Sequence, residues 1–401
     1  MFNEIQNSSI IFKDIYKSYE KIEFRCITVD EHGTKNDIDC YFILNGEFIP
    51  SDDNIALALV SLIKRKFRNI NMELIITQET YEGIKKFTQA NINVIKIINN
   101  TKIDKLRENI ILNFSGGIDS LAALYIMPNN TKLVAIDFGL GFEREENFFK
   151  NFNPYVLKTN VRKSLDADHN SWEFMGIGAI LYSNYLNAGY HVFGTIMEAS
   201  KENFLPNFRL PISVFNAPFC YCGLKEMRYI NGLTEIGTSI IASYYDENKI
   251  ANSLISLSNP GTEKRYRKET LMNIVAQKFN RNIKFTNSEP PKYYRAKFGN
   301  NIALDFLCLY VIKNAGLDIA QNTMSEIPDE AVRISTELDL KFYERLNCSC
   351  LNGTTLVNDK LRSDMIKKVM EAGVYPYTES DYDEYRQVAN FLNKYHNFYK
   401  K

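Results

Sequence analysis

The sequence predicts an α/β fold followed by a helical carboxyl-terminal region, and three observations support this class. The apolar run 110–112 leads into a glycine turn and then a helical pattern at 121–127, which together form a strand–turn–helix unit. Strand-like and helix-like patterns alternate up to about residue 260. From residue 269 onward the apolar residues follow helical spacing alone.

The chain of 401 residues is long enough for two or three domains. We predict an N-terminal α/β module over 1–105, a second α/β domain over 106–260 and a helical region over 261–401. No motif in the first module carries chemistry, so packing, dimerisation and substrate recognition all stay open as its role.

The expected elements follow from periodicity and from turn residues. Alternating or continuous apolar runs predict strands, and apolar residues spaced three or four apart predict helices. The predicted strands of the first module are 10–12, 22–29, 38–44, 72–77 and 92–98, and its predicted helices are 55–67 and 81–88. Further strands are predicted at 132–139, 155–159 and 190–193, and further helices at 172–185, 271–279, 302–315, 330–345, 359–372 and 381–399.

The charge balance argues against a general electrostatic grip on nucleic acid, because Lys and Arg total 48 and Asp and Glu also total 48. Seven cysteines in a chain of this length do not indicate a disulfide framework. We find no signal-peptide pattern and no apolar run of about 18 residues. We therefore expect a cytoplasmic protein without a membrane segment.

The stretch Asn113–Ser120, with the sequence Asn-Phe-Ser-Gly-Gly-Ile-Asp-Ser, predicts a cradle for phosphate groups. A tight turn before a helix directs several backbone N–H groups and the positive end of the helix dipole at one point. Gly116 and Gly117 allow close approach and positive φ. Asp119 falls in the first helical turn, where its carboxylate can hold a cation that bridges phosphate oxygens.

The motif is neither of the two common nucleotide loops. No Lys follows the glycines, as the kinase and GTPase loop requires, and the third glycine of the dinucleotide fingerprint is missing. The Ser-Gly-Gly-x-Asp-Ser string instead resembles the PP-loop of the ATP pyrophosphatase superfamily (adenine nucleotide alpha-hydrolase-like proteins). This superfamily includes GMP synthetase, NAD synthetase, tRNA thiolases and 7-cyano-7-deazaguanine synthase (QueC).

The resemblance covers roughly residues 108–270 and implies a Rossmann-like parallel sheet that binds ATP and Mg²⁺. It implies that Ser115 and Asp119 take part in catalysis and that Asp119 is a metal ligand. The residues that it places around the nucleotide are Phe114, Ser115, Gly116, Gly117, Ile118, Asp119, Ser120, Ile136, Asp137, Phe138, Gly194 and Thr195. From its position alone, Asp137 could equally cap the turn that follows its strand.

A second informative stretch is Tyr190–Ser200, where an apolar strand ends in Gly194-Thr195 and an acid follows three residues later. It resembles, imperfectly, the Gly-Thr-x-x-x-Asp block that lies beside the ATP polyphosphate in GMP synthetase. On that resemblance, Glu198 would share the magnesium with Asp119. The alternative is that Thr195 and Glu198 form a capping box at a helix start.

A third stretch, Ser256–Lys268, combines a Pro-Gly turn, the helix-capping candidate Thr262 and four cations within five residues. Such a basic helix start can clamp pyrophosphate or an anionic substrate, although a solvated helix face has the same composition. We favour Arg265 and Lys268 as catalytic cations, because residues three apart share a helix face. The stretch Lys292–Arg295 mixes aromatic and basic residues and could stack a base, although an ordinary boundary between surface and core fits as well.

The cysteine spacing does not favour a metal site. Cys220-x-Cys222 and Cys348-x-Cys350 have one residue between the cysteines, whereas zinc pairs usually have two to four. We therefore consider zinc unlikely to bind.

The resemblance implies a ligase that adenylates a carbonyl or carboxylate oxygen, releases pyrophosphate and lets a nitrogen nucleophile displace AMP. No glutaminase is recognisable, since Phe2 occupies the position where its nucleophilic cysteine would follow Met1. We expect a small-molecule substrate, with a donor protein for nitrogen or sulfur as a possible partner, and a homodimer stays open. The alternatives are a sulfur-inserting enzyme acting on a small molecule or, less favoured, on tRNA, and a nucleotide sensor without catalysis.

Overall fold

The computed structural model describes residues 8–99, 107–205, 217–292, 296–351 and 359–398. Three of the four residues of the candidate base-stacking stretch, 293–295, lie outside this part of the chain.

Strands and helices alternate in the first half of the chain, and helices dominate the second half. The strands are β1 (Ser9–Lys17), β2 (Lys21–Val29), β3 (Lys35–Leu44), β4 (Asn69–Thr77), β5 (Asn91–Ile98), β6 (Asn109–Asn113), β7 (Lys132–Asp137), β8 (Tyr155–Thr159), β9 (Ala188–Val192), β10 (Lys225–Glu226), β11 (Ala296–Lys297) and β12 (Met324–Ser325). The helices are α1 (Asp52–Ser61), α2 (Gln78–Thr88), α3 (Ile118–Ile126), α4 (Glu143–Phe149), α5 (Val161–Ser164), α6 (Ala167–Asn170), α7 (Ile177–Tyr182), α8 (Glu235–Tyr245), α9 (Glu247–Leu257), α10 (Glu263–Lys278), α11 (Ile302–Ala315), α12 (Leu317–Gln321), α13 (Asp329–Glu337), α14 (Asp359–Glu371) and α15 (Glu379–His396).

Short 3-10 turns complete the secondary structure at Lys150–Phe152, Glu173–Gly176, Met197–Ala199, Lys201–Phe204, Phe219–Cys222, Lys341–Glu344 and Cys348–Leu351. Within the described ranges, each helix falls short of the combined length and apolar character that a membrane crossing requires.

The described chain divides into two compact units that differ from the three predicted segments. The first unit contains 8–99, 107–115, 129–192 and 217–227, and the second contains the remaining described residues. The predicted boundary near residue 105 does not separate two units, because β3 from the N-terminal module pairs with β8 in one sheet. Hydrogen bonds between strands that are distant in sequence therefore join segments from the two sides of residue 105 in one sheet.

In the first unit, the described strands form one sheet of ten, in the order β10-β9-β6-β7-β8-β3-β2-β1-β4-β5. The strands from β10 to β8 are parallel, β3 joins them antiparallel, and β1, β4 and β5 form a second parallel run. The sheet is thus mostly parallel, which confirms the predicted α/β class. From β8 to β10 the order is third, second, first, fourth and fifth along the chain, as in a doubly wound fold.

Most predicted elements are present, but two predicted helices differ. The helix predicted at 172–185 is a 3-10 turn followed by the short α7. The helix predicted at 330–345 ends with α13 at Glu337, because Leu338 is extended, with a ψ of 151°. Leu340 then adopts a positive φ of 56°. Helices α4, α5, α6, α8, α9 and α12 are additions that were not predicted.

The core of the first unit is built from apolar side chains on both layers. The rings of Phe12, Phe24 and Phe42 lie side by side across β1, β2 and β3 and are buried. Helix α1 is buried from Asp53 to Ser61, as expected for a helix that is apolar nearly all round.

The second unit is helical around an aromatic core. Phe306 of α11 and Tyr343 have ring centroids 4.3 Å apart, and Phe342 stacks on Tyr343. The hydroxyl of Thr234, which caps α8, donates to the Tyr343 carbonyl at 2.5 Å. This contact fixes the start of α8 against the core.

Gly189 of β9 is expected to tolerate no side chain. A methyl group there would lie 2.0 Å from the backbone carbonyl oxygen of Arg107, which cannot swing away as a side chain could. We expect Gly189→Ala to lower the free energy of unfolding by about 2–3 kcal/mol in urea denaturation. The control is Gly237→Ala inside α8, where the nearest atom belongs to the flexible Leu233 side chain at 3.3 Å and where alanine favours the helix. Equal destabilisation by both variants would contradict this interpretation.

Candidate functional site

The loop after β6 has the geometry that its two glycines predict. Gly116 has a φ of +77°, which favours glycine, and Gly117 is the extended N-cap residue of α3 with a φ of −69°. The Gly116 carbonyl accepts a hydrogen bond of 2.7 Å from the Ser253 hydroxyl on α9. The turn is therefore held by backbone conformation and by a buried side-chain contact.

The start of α3 has no side-chain cap at Gly117. Ser120 is 3% exposed, and its hydroxyl donates to the Gly117 carbonyl at 2.9 Å. Ser120 thus stabilises the turn from inside, whereas the neighbouring Ser115 is exposed. Gly194 lies against the same helix start, since a methyl group on it would be 3.2 Å from the Ser120 amide nitrogen. Thr195 follows it as a half-buried residue.

Asp119, in the first turn of α3, is the centre of a polar cluster. Its Oδ1 accepts a hydrogen bond of 2.6 Å from the Thr238 hydroxyl on α8. Its Oδ2 lies 3.2 Å from the Nζ of Lys268 on α10. Side chains of three helices therefore meet at this one carboxylate.

Lys268 also contacts Glu235, the first residue of α8. Its Nζ is 3.0 Å from Glu235 Oε1, and the ammonium side chain is only 7% exposed. Both oxygens of Glu235 accept hydrogen bonds from one terminal nitrogen of Arg267, at 2.8 and 2.9 Å. Arg267 is itself paired with Glu263 one turn earlier in α10.

The electrostatics of this cluster favour charged groups despite their burial. Burial alone would raise the pKa of Glu235, but Arg267 and Lys268 outweigh it and lower that pKa. Burial would lower the pKa of Lys268, but Asp119 and Glu235 outweigh it and raise that pKa. The ammonium and the Glu235 carboxylate are therefore charged at neutral pH.

Glu198 borders the cluster and is buried at 2% exposure. Its Oε1 accepts a hydrogen bond of 2.7 Å from the Glu235 backbone N–H, and its Oε2 has no hydrogen-bond partner among the described residues. Burial raises the pKa of Glu198 to about 8, and the nearby Glu235 and Asp119 carboxylates add to the rise. The capping-box alternative was wrong, because the turn at Met197–Ala199 begins at Ile196 without a side-chain cap.

Arg265 does not join Lys268, although Thr262 caps α10 as predicted. Its guanidinium is paired with Glu269, one turn further along the same helix, and Glu269 also accepts from the Ser288 backbone at 2.7 Å. The described contacts of Arg265 therefore lie away from Asp119. Glu269, four residues away on the same helix, competes for the guanidinium. The catalytic role of Arg265 stays a prediction.

Ile136, Asp137 and Phe138 lie in the first unit, at the carboxyl end of β7. Asp137 Oδ1 accepts from the Gly139 N–H at 2.8 Å, so Asp137 caps the turn, as the alternative predicted. Phe138 is buried and packs its ring against Phe142. Ile136, the preceding residue of the strand, is half-buried.

Three members of the cluster, Glu235, Thr238 and Arg267, were not predicted. Thr238 belongs to a run of small residues that indicates close packing as readily as a ligand wall. Glu235 follows a helix-capping threonine, where an acid is common because it interacts favourably with the positive end of the helix dipole. Arg267 could have been predicted, because it lies in the basic stretch beside Lys268.

The carboxylates could hold a hard divalent cation only together with oxygens of a ligand. Among the described residues, no group of three or more His, Cys, Asp or Glu side chains is arranged to hold a metal ion. Mg²⁺ characteristically takes one or two protein carboxylates and completes its shell with water and phosphate oxygens. Asp119 and the unpartnered Glu198 Oε2 are oxygen donors of the kind that this mode uses.

Comparisons of the chain with protein-family models, with characterised proteins and with solved structures give no match.

Glu198 should make stability depend on pH in a defined direction. Its pKa of about 8 in the folded protein exceeds its ordinary value of 4.5, so its stabilising contribution is complete below pH 4.5 and is lost as pH rises through about 8. Glu198→Gln should therefore gain stability relative to the wild type, by more than about 1 kcal/mol, between pH of about 6 and about 9. Urea denaturation of both proteins with a chelator present measures this difference. A difference that stays constant with pH would contradict the assignment.

Proposed function

We propose that this chain is an ATP pyrophosphatase-type ligase. In this reaction, an oxygen of a carbonyl or carboxylate substrate attacks the α-phosphate of ATP. The bond between that phosphorus and the α,β-bridging oxygen breaks, and pyrophosphate leaves with the bonding electrons. A nitrogen nucleophile then displaces AMP from the adenylated substrate, which is a small molecule.

The observation that carries the proposal is the ionic cluster at the start of α3. The motif glycines form a tight turn with Gly116 at positive φ, and the helix begins directly after it. Lys268 comes to within 3.2 Å of Asp119 in the first turn of that helix. Backbone N–H groups, a buried ammonium and a partly exposed carboxylate are what binding of a metal–polyphosphate complex requires.

The sheet of the first unit supports the same proposal. Strand β6, which leads into the motif, lies between β7 and β9 in the sheet. Along the chain, β7 is the second strand of the parallel run and β9 is the fourth. In open α/β sheets, ligands bind beyond the carboxyl ends of the strands where the strand order reverses direction. The motif follows the strand at which this reversal occurs.

Each residue in the proposed site has a defined task. The N–H groups of the glycine turn and of the helix start bind phosphate oxygens, with Ser115 exposed beside them. Lys268 supplies positive charge toward the leaving pyrophosphate, and Arg267 fixes Glu235. Asp119 and Glu198 would hold Mg²⁺, which supplies charge stabilisation on the phosphates when bound. Catalysis then rests on positioning and electrostatics.

Six of the seven cysteines are poorly suited to relay sulfur within this chain. Burial raises the pKa of the thiols of Cys40, Cys308 and Cys350 to about 12 and that of Cys220 to about 11. The thiols of Cys26 and Cys348 are shifted in the same direction, mainly by burial. A sulfur relay needs an accessible thiolate, and such raised pKa values oppose it.

We expect Asp119→Asn to lose product formation by at least about 100-fold, because the variant removes the charge that pairs with Lys268 and receives the metal. Mass spectrometry should detect AMP and pyrophosphate when the wild type is incubated with Mg-ATP and a metabolite extract. The control is Asp246→Asn, which changes an acid of the same unit that hydrogen-bonds Tyr125 and pairs with Lys249.

The products also separate the alternatives. ADP with phosphate would contradict the proposed reaction. Incorporation of sulfur into a metabolite would favour the sulfur-inserting enzyme. ATP retained on the wild type without any turnover, in extracts supplemented with tRNA, would favour the nucleotide sensor.

A further inference from the structure

The Lys268 ammonium occupies the position between two carboxylates where a cation would be expected. Its Nζ lies 3.2 Å from Asp119 Oδ2 and 3.0 Å from Glu235 Oε1. We propose that Lys268 holds the place of the divalent cation, and that Glu235 is a further protein carboxylate for that cation, beside Asp119. On binding of the metal and nucleotide, the ammonium moves to a phosphate and the metal takes its place. This inference rests on the proposed function.

The charges of the cluster explain why a placeholder is needed. The side chains of Asp119 and Glu235 are 25% and 7% exposed, and a buried carboxylate without a counter-charge is costly. When no divalent cation is bound, a protein cation must balance them. Lys268 does so from α10, while the carboxylates belong to α3 and α8.

The two cations of the cluster are suited to different roles. Arg267 binds both oxygens of Glu235 at 2.8 and 2.9 Å and also pairs with Glu263, so it is fixed on two sides. Lys268 presents a single ammonium on a flexible stem. Lys268 is therefore the cation that can leave, and Arg267 is the one that keeps Glu235 in position.

Glu198 independently indicates that this cluster accepts a further electropositive group. Its Oε2 is buried and has no hydrogen-bond partner in the described chain, while its Oε1 accepts from the Glu235 N–H at 2.7 Å. It also lies close enough to Asp119 and Glu235 for their charges to act on it. A third carboxyl group with one unpartnered oxygen thus lies beside the two carboxylates that Lys268 bridges.

The exchange makes metal and nucleotide binding mutually dependent. A metal ion that arrives alone must displace a buried ammonium whose anionic partners, within the described ranges, are Asp119 and Glu235. A nucleotide that arrives with the metal offers the ammonium a phosphate. Each ligand should therefore raise the affinity of the other, and the coupling should depend on Lys268.

The test measures Mn²⁺ binding by electron paramagnetic resonance, with and without a non-hydrolysable ATP analogue. Carboxylate and water ligands suit Mn²⁺ as they suit Mg²⁺. In Lys268→Met, Mn²⁺ alone should bind at least about tenfold more tightly than in the wild type, and its coupling to the analogue should shrink by a similar factor. The double variant Lys268→Met/Glu235→Gln should lose this gain. Lys278→Met, a cation in the last turn of α10 that pairs with Glu344, should leave both values unchanged.

Thermal unfolding gives a second readout if Lys268→Met is unstable, since Mn²⁺ alone should raise its midpoint more than that of the wild type. If that variant does not fold, Glu235→Gln decides. This variant should bind Mn²⁺ at least about tenfold more weakly than the wild type when the analogue is present. Its affinity for the analogue in metal-free buffer should be unchanged.

Two failures can be told apart. If the wild type binds neither the analogue nor its Mn²⁺ complex, the proposed function and the placeholder role are both overturned. If the wild type binds the complex but Lys268→Met binds free Mn²⁺ no more tightly, only the placeholder role is overturned.

Discussion

The second unit depends on one buried ion pair network, in which Lys268 joins Asp119 to Glu235. The three residues belong to helices α10, α3 and α8, so the contact ties three separate segments of the chain together. Taking these charges out of water is expensive, and only the closeness of the partners offsets it. Loss of one partner would leave an uncompensated charge, at a typical cost of about 3–5 kcal/mol. The structure and the proposed chemistry therefore rely on the same atoms.

The glycine turn adds a geometric constraint to this electrostatic one. The conformation of Gly116, the Ser253 hydrogen bond and the close approach of Gly194 each restrict where the start of α3 can lie. Asp119 belongs to that first turn, so its carboxylate is placed by backbone contacts as well as by its ionic partners. A site that binds a polyanion through backbone N–H groups needs this precision, because backbone groups cannot adjust as side chains do.

Local features of the site could be predicted from the sequence, and long-range ones could not. The turn, the start of α3 and the capping of α10 by Thr262 follow from neighbouring residues, and the sequence predicted them. Lys268 was identified from its basic stretch, although it lies 149 residues from its partner Asp119. Thr238, 119 residues from Asp119, was not predicted. For Arg265 the contact that was not predicted is a local one, with Glu269 four residues further along the same helix.

The sheet illustrates the same limit. The apolar patterns of the sequence predicted where strands form, but they did not predict the order of the strands in the sheet. Each strand carries its own apolar pattern, whereas the pairing of β3 with β8 depends on chain segments that no local pattern relates. For that reason, no local pattern showed that the segments on the two sides of residue 105 share one sheet.

This pairing has a consequence for the order in which the protein folds during synthesis. Strands β1 to β5 leave the ribosome before β8 has been made, so one edge of the nascent sheet is open for that time. The part of β3 that β8 never covers carries the charges of Lys35, Asp37 and Asp39, which discourage pairing with another chain. The three residues that β8 does cover, Phe42–Leu44, are apolar. Until β8 emerges, the nascent chain therefore exposes a short, unpaired apolar strand edge that can pair with another chain. A chaperone or rapid elongation would reduce aggregation most in that interval.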